Sequence, residues 1–438
     1  MDEIDALLNG PPKEKKRGRP KKDDPHPIKP FMGREKIILN AEPTSNPVHS
    51  ILCYNILCQS YCKSYFFPTS DRKSLSWLYR KERIEKELLS YKADIMCLQE
   101  VDKYTNHWRH RLFKAGYSSC YKQRTRAKVD GCAIFYKTHK YYLVYEKPIE
   151  LNNASIVGDL YDEEYMTDNV GIIAILQLQT QDKKTLTPCF PPSKADQQHV
   201  SRRYLCVVNV HLFWNPLYTD IKISQCHYAL HQVKSYLNMT LGDEMSKHIP
   251  IVLCGDFNSL PNGEVYNLLT TSTTSIPRII PEKKSTLKQI NDIAWRVEHT
   301  RINDESGTSH GAVLISNPHG EGYVPGRSNV HFQEGYHEHA TFKSELELYS
   351  AYHIANESEP PFTNFTSKFQ GTLDYVMVGG VQDNPHQMNR TSPELIKIRC
   401  MLKTIDEKEA REHDALPSFK YPSDHIAMYC ELEALPKQ

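Results

Sequence analysis

The chain has 438 residues, a net charge of +1 and 39% apolar residues, with Gly and Pro at ordinary levels, a composition that excludes fibrous and low-complexity classes. Apolar runs such as Val170 to Leu176 are too short to span a bilayer, and the twelve cysteines form no Cys-x-x-Cys pair, so buried free thiols in a reducing compartment are expected. Seven basic residues and one acid between Lys13 and Lys22 hold +6 and leave −5 for the rest; any nucleic acid must be gripped by a local groove, not a basic coat.

Residues 1–45 read as a disordered basic leader, low in apolar content and rich in Pro. Its start, Met1-Asp2-Glu3-Ile4-Asp5, lacks the apolar core of a secretory signal, which predicts an intracellular protein, cytoplasmic or nuclear. The run Lys13 to Lys22 is a solvated tail or import signal. Alternatively, Arg17-Gly18-Arg19-Pro20 is the core of a minor-groove clamp that adds a contact with nucleic acid.

Residues 46–436 form the expected catalytic domain. Short apolar runs predict strands at Ile51–Cys53, Ile95–Leu98, Cys132–Tyr136, Val170–Leu178, Tyr204–Val210, Ile249–Cys254, Tyr375–Val378 and Ala427–Leu432. Helical spacing predicts helices over Trp77–Tyr91, with Leu78, Ile84, Leu88 and Leu89 on its apolar face, and over Ile221–Leu237. Such alternation gives an α/β body. Residues 181–201 read as a loop. Residues 270–360 are low in strand signal and read as an insertion or a partly disordered segment. Their His310, His319, His331, His337 and His339 have no Cys at zinc-finger spacing, and solvated loop histidines are expected.

Polar clusters sit where these strands end. Glu100, in Leu98-Gln99-Glu100-Val101, is a salt-bridged strand-end residue or a ligand for a hard cation; with Asn55 from Tyr54-Asn55-Ile56-Leu57 it meets the few protein oxygens Mg²⁺ needs. In Gly255-Asp256-Phe257-Asn258, Gly permits a sharp turn. Asp256 and Asn258 then either cap backbone in an Asx-turn or orient an attacking water and donate to a phosphoryl oxygen. His425, in Ser423-Asp424-His425, becomes a phosphate donor if Asp374, in Leu373-Asp374-Tyr375, orients its imidazole. His211 ends another strand as a second phosphate ligand. The following Phe213-Trp214-Asn215-Pro216, and Phe369, either stack a base or belong to the core. Asp130-Gly131 reads as a hairpin turn.

Taken in order, these clusters resemble the endonuclease/exonuclease/phosphatase superfamily over roughly residues 48–436. Lys128-x-Asp130-Gly131-Cys132-Ala133, His211-Leu212-Phe213-Trp214-x-Pro216 and Phe362-Thr363-Asn364 before Phe369-x-Gly371 resemble its deadenylase branch: the carbon-catabolite-repressor deadenylases, nocturnin and the Angel proteins. Phe67-Pro68-Thr69-Ser70, Leu75-x-Trp77, Arg80 and Asn169-Val170-Gly171 look most like the fungal Angel-type exonucleases of ribosomal RNA processing. The resemblance implies a deoxyribonuclease I-like two-sheet sandwich flanked by helices. It implies a Mg²⁺-dependent 3′→5′ exoribonuclease, with Mn²⁺ able to substitute, acting on poly(A) or the 3′ end of a structured RNA. Glu100 and Asn55 would bind the metal; Asp256 and Asn258 would position water and transition state; His425, Asp374 and His211 would hold the scissile phosphate. Pro216 and Phe369 would sandwich a base. No leucine-rich-repeat docking surface precedes the domain, and residues 270–360 match the branch poorly. The alternatives are a nocturnin-like phosphatase of a dinucleotide phosphate and a non-enzymatic nucleic-acid-binding adaptor.

Overall fold

Two sheets make the body of the computed structural model, which describes residues 33–156, 166–179, 200–277, 339–382, 393 and 395–436. The basic run 13–22, most of the 181–201 loop, and His310, His319, His331 and His337 lie outside the described residues. In chain order the first strands are β1 (Lys36–Ile38), β2 (Val48–Asn55), β3 (Ile95–Gln99), β4 (Tyr117–Gln123), β5 (Gly131–Lys137) and β6 (Tyr141–Glu150). They continue as β7 (Val170–Leu178), β8 (Tyr204–His211), β9 (Ile251–Asp256), β10 (Thr273–Pro277), β11 (His339–Lys343) and β12 (Leu346–Ser350). The last are β13 (Asn364–Phe365), β14 (Gln370–Gly371), β15 (Asp374–Val381), β16 (Ile396–Leu402) and β17 (Met428–Ala434).

A seven-stranded sheet runs β1-β16-β17-β2-β3-β5-β4, and a six-stranded sheet runs β12-β15-β9-β8-β7-β6. The expected α/β sandwich is therefore observed. Side chains alternate between its layers, as the two-residue period of a strand requires. On β2, Ile51 and Cys53 enter the core between the sheets, while Leu52 and Tyr54 face the helices Trp77–Ser90 and Arg109–Lys114. On β8, Leu205 and Val207 face the first sheet. Its Cys206, Val208 and Val210 pack under the helix Thr219–Leu241.

Several expectations need revision. The 270–360 stretch begins and ends in regular structure, since β10 pairs with β11 and β12 joins the main six-stranded sheet. In the helix Trp77–Ser90 the buried stripe is Tyr79, Arg80, Arg83, Ile84, Glu87 and Leu88, and Leu78 is exposed. The fully buried Arg80 guanidinium donates to the carbonyls of Ile56, Leu57 and Pro422, tying the two chain segments that follow β2 and precede β17. Gly255 is not a turn residue. It lies inside β9, where a Cβ would stand 2.4 Å from the Val210 carbonyl oxygen. The described cysteines are buried and free, and no described helix is long and apolar enough to cross a membrane.

The sheets are pinned to each other by buried amides. Asn209 of β8 donates through Nδ2 to the carbonyls of Leu98 and Ala133, both at 2.9 Å, and its Oδ1 accepts from Gln99 Nε2 at 2.6 Å. Every one of those partners belongs to the other sheet. A fully bonded buried amide fixes a geometry because any slide would leave polar groups unpaired.

One buried histidine makes stability pH-dependent. His49 of β2 is 2% exposed and its Nδ1 lies 2.7 Å from the Tyr141 hydroxyl. Burial, with Lys140 nearby, lowers its pKa to about 3. A depressed value means the stabilisation is complete above the unfolded value near 6.5 and is lost as pH falls towards the folded one. Moving from pH 7.5 to 5 should thus cost on the order of 2 kcal/mol through this group. In urea unfolding at both pH values, His49→Gln should show a correspondingly smaller acid loss; an equal loss in both proteins would place the titrating group elsewhere.

Candidate active site

Six strand ends meet along one edge of the sandwich. The parallel pairs β2–β3 and β8–β9 place Asn55 beside Gln99 and His211 beside Asp256, so Glu100 follows at the end of β3. Antiparallel β15 starts at the same edge, with Asp374 opposite Asp256. His425 comes three residues before β17 and bridges to Asn364. Parallel strands thus supply residues from their carboxyl ends and antiparallel ones from their amino ends, the crevice where ligands of α/β sheets bind.

Glu100 and Asp256 come from different sheets and share one donor. Asn55 Nδ2 lies 3.1 Å from Glu100 Oε1 and 2.9 Å from Asp256 Oδ2. Asn55 Oδ1 accepts from the Leu57 amide at 3.0 Å. In this geometry Asn55 orients two carboxylates rather than presenting an oxygen beside them. The Cys58 amide donates to Glu100 Oε2 at 2.8 Å. Glu100 also has φ of 55°, a left-handed conformation that costs a non-glycine residue about 1–3 kcal/mol and concentrates at functional sites.

Around Asp256 the two histidines are in opposite states. Each Nε2 stands 3.6 Å from Asp256 Oδ2. Burial, with Arg124 and His425 adding repulsion, holds the His211 pKa well below 6.5, so it is neutral. Burial opposes charge on His425 as well, but the carboxylates of Asp374, Asp256 and Asp424 overcome it and hold its pKa well above the ordinary value. Its Nδ1 sits 2.7 Å from Asp374 Oδ2, and Asp374 is itself fixed by Thr363, whose hydroxyl accepts from the Leu373 and Asp374 amides. Asn258 takes the expected place in the turn after β9. Its amide donates to Asp256 Oδ1 at 3.0 Å as in an Asx-turn, yet the residue also lines the pocket.

The pocket has a volume of about 520 Å³, within the range of small-ligand sites. Glu100, His211, Asp256, Asn258 and His425 line it, together with Trp214, Pro216, Lys368 and Phe369. Phe369 is half-buried in the turn of the β13–β14 hairpin, and Pro216 is exposed, so neither is core. Gly371 lets the Phe369 ring fold back, since a Cβ there would come within 2.9 Å of it.

Two residues near the site escaped sequence reading. Lys222, 5% exposed on the helix Thr219–Leu241, lines the pocket; burial lowers its pKa to about 8. Helical spacing marks its neighbours Ile221 and Ile223 as core but says nothing of a buried ammonium between them. Asp130 lies, as expected, in a hairpin connection, residues 124–130 between antiparallel β4 and β5, but its full burial was not foreseen; it accepts from the Tyr61 hydroxyl at 2.9 Å.

These acids fit a hard divalent cation. Burial, then Asp130 and Asp424, push Glu100 up to about 7, and burial foremost raises Asp256 as well. Asp374 Oδ1 is buried without a hydrogen-bond partner. Asp256, Asp374 and His425 also offer ligand atoms within 4.8 Å of one another. His425 Nδ1 and Asp374 Oδ2 are already joined to each other, so Asp374 Oδ1 is the unengaged oxygen of that trio, whereas every oxygen of Glu100 and Asp256 already accepts one hydrogen bond and keeps a second lone pair for a cation. Crowded carboxylates with raised pKa values lack positive charge, and a cation supplies it.

The sequence profile of the Endonuclease/Exonuclease/phosphatase family matches residues 52–425. The CCR4-Not complex 3′-5′-exoribonuclease subunit Ccr4 of Yarrowia lipolytica is 26% identical over 87% of this chain and 47% of its own length. That of Candida albicans is 26% identical over 90% of this chain and 42% of its own, so the chain spans about half the length of these relatives. Among solved structures, ANGEL2, described as a 2′,3′-cyclic phosphatase, superposes with a TM-score of 0.62 at 23% identity, covering 92% of this chain and 99% of that one. The human nocturnin catalytic domain gives 0.51 at 21%, covering 92% and 98%. The structural likenesses establish the fold.

Proposed function

The chain belongs to the endonuclease/exonuclease/phosphatase family, and from that premise we propose that it is a Mg²⁺-dependent 3′→5′ exoribonuclease of the deadenylase branch, with Mn²⁺ able to substitute. Its products would be 5′-mononucleotides, released from poly(A) or the 3′ end of a structured RNA. The observation that carries this reading is the pocket itself. A carboxylate–histidine cluster suited to a phosphate shares one cavity with two apolar residues, Pro216 and Phe369, placed outside the core. The relatives named as exoribonucleases support the RNA substrate.

Glu100 would hold the cation with Asp256, both oriented by Asn55. Bound there, the cation would neutralise charge on the phosphoryl oxygens. Asp256, flanked by the Nε2 atoms of His211 and His425 at 3.6 Å, would accept the proton of the attacking water. The water oxygen forms a bond to phosphorus while the bond to the 3′ oxygen of the preceding nucleotide breaks, so the phosphate leaves on the released mononucleotide. Protonated His425, fixed by Asp374, and neutral His211 would each donate to a phosphoryl oxygen, and Asn258 has one amide hydrogen left after bonding the Leu212 carbonyl. Rate enhancement then comes from positioning and electrostatic stabilisation.

The test is a 5′-labelled oligoadenylate and a labelled RNA hairpin with a 3′ extension, incubated with Mg²⁺. A ladder shortening from the 3′ end, with 5′-AMP released from the former, is expected. Release of inorganic phosphate from a dinucleotide phosphate without any such ladder would replace this reading with the phosphatase one.

For the base wall, Phe369→Ala should raise KM on RNA about tenfold, since a stacked base is worth about 1–3 kcal/mol. Turnover of a generic phosphodiester should hold. A thermal melt taken alongside separates stacking from packing: a lowered melt with equal loss on both substrates rejects the stacking role.

A further inference from the structure

Lys222 has no task in the mechanism above, and its position is costly. It is the fourth residue of the helix Thr219–Leu241, in the first turn, where the helix dipole repels a cation. The side chain is 5% exposed, yet its one hydrogen bond goes to a neutral acceptor, the Asn258 carbonyl, at 2.8 Å. Glu264 and Asp256 act on it only through space, and no carboxylate of the described residues comes within 4 Å of it. A buried charge without a partner is strongly unfavourable, so such groups pair or discharge. An ammonium has three donors, one is engaged, and Lys222 lines the same pocket as Glu100, Asp256 and His425.

We propose that Lys222 is a phosphate-binding residue of this pocket, donating to a non-bridging oxygen of the bound nucleic acid. The inference rests on reading the pocket as a nucleic-acid site, and it assigns the pocket a cation of its own besides any metal. Because Lys222 holds the carbonyl of Asn258, the anion it meets lies on the Asn258 side of the pocket. That anion is either a backbone phosphodiester or a terminal phosphomonoester at the 3′ end; both present the same oxygens.

The experiment is equilibrium binding of fluorescent single-stranded oligonucleotides, ending in a 3′-hydroxyl or a 3′-phosphate, across a salt series. EDTA is present so that no turnover occurs. For one lost phosphate contact, the slope of log K against log salt should flatten by about 0.7 in Lys222→Met and hold in Lys222→Arg. Loss with both oligonucleotides identifies the backbone diester; loss confined to the 3′-phosphate identifies the terminal monoester. Lys222→Gln covers the case in which the methionine variant does not fold, because its amide can keep the bond to Asn258 while removing the charge. Salt-dependent binding that Lys222→Gln leaves unaltered overturns the proposal alone, making Lys222 a brace for Asn258. No salt-dependent binding by the wild-type protein overturns the nucleic-acid reading itself.

Discussion

Replacing Glu100 by Gln should remove phosphodiester turnover while leaving the fold intact. An amide is a poor ligand for a hard cation, and Glu100 is the carboxylate that the first sheet brings to Asp256. The loss should be at least as large as the ~10²–10³-fold that follows removal of one transition-state donor. A second readout does not depend on turnover. Wild-type protein should melt at a higher temperature as Mg²⁺ is added, because a ligand that binds only the folded state stabilises it by mass action. The variant should lose that gain. Without the cation it should melt close to wild type: relief of the charge that burial and the nearby acids oppose offsets the one hydrogen bond, from Asn55 or Cys58, that the amide nitrogen cannot accept. Near wild-type turnover at limiting Mg²⁺ would sink the assignment.

Asp374→Asn should be nearly as damaging, on the order of 10²–10⁴-fold in kcat, by analogy with loss of the carboxylate that orients a catalytic imidazole. Asp374 Oδ2 is 2.7 Å from His425 Nδ1, and Asp374 is foremost among the carboxylates that keep that ring protonated despite its burial. The neutral amide keeps the shape but not the charge. NMR titration of the His425 ring should therefore show a lower pKa in the variant, with KM for RNA changed less than kcat. If kcat stayed within about tenfold of wild type and the ring titrated as before, Asp374 would be a structural residue and the phosphate-donor role of His425 would lose its support.

The frame of this site was legible because its strands are buried on both faces. Runs such as Ile95 to Leu98 and Ile249 to Cys254 announce themselves as continuous apolar stretches, and the polar residue after each run is where the ladder stops. Edge strands were not legible. β4 and β6 close the two sheets, keep a wet face, and carry Lys, Gln and Glu, which blunts an edge and also erases its strand signal. Gly255 was read as a turn because a glycine at a strand end usually is one, whereas the reason here is the approach of the Val210 carbonyl, a contact between strands far apart in sequence. Lys222 and Asp130 stayed hidden for the same cause. Burial of a charged residue depends on what folds over it, and no local pattern carries that information.

The lining of the pocket draws on two kinds of structure. One is the set of six strand termini held by ladders and by the Gln99–Asn209 bridge, so their spacing belongs to the sandwich as a whole. The other is loop: Pro216 follows β8, and Phe369 is in the turn, residues 366–369, between the short strands β13 and β14. Reaction type and substrate identity are thereby separable in this molecule. The reaction centre belongs to the body, whereas on the proposed reading recognition is portable: exchanging two short loops would present the same reaction centre to a different terminal nucleotide.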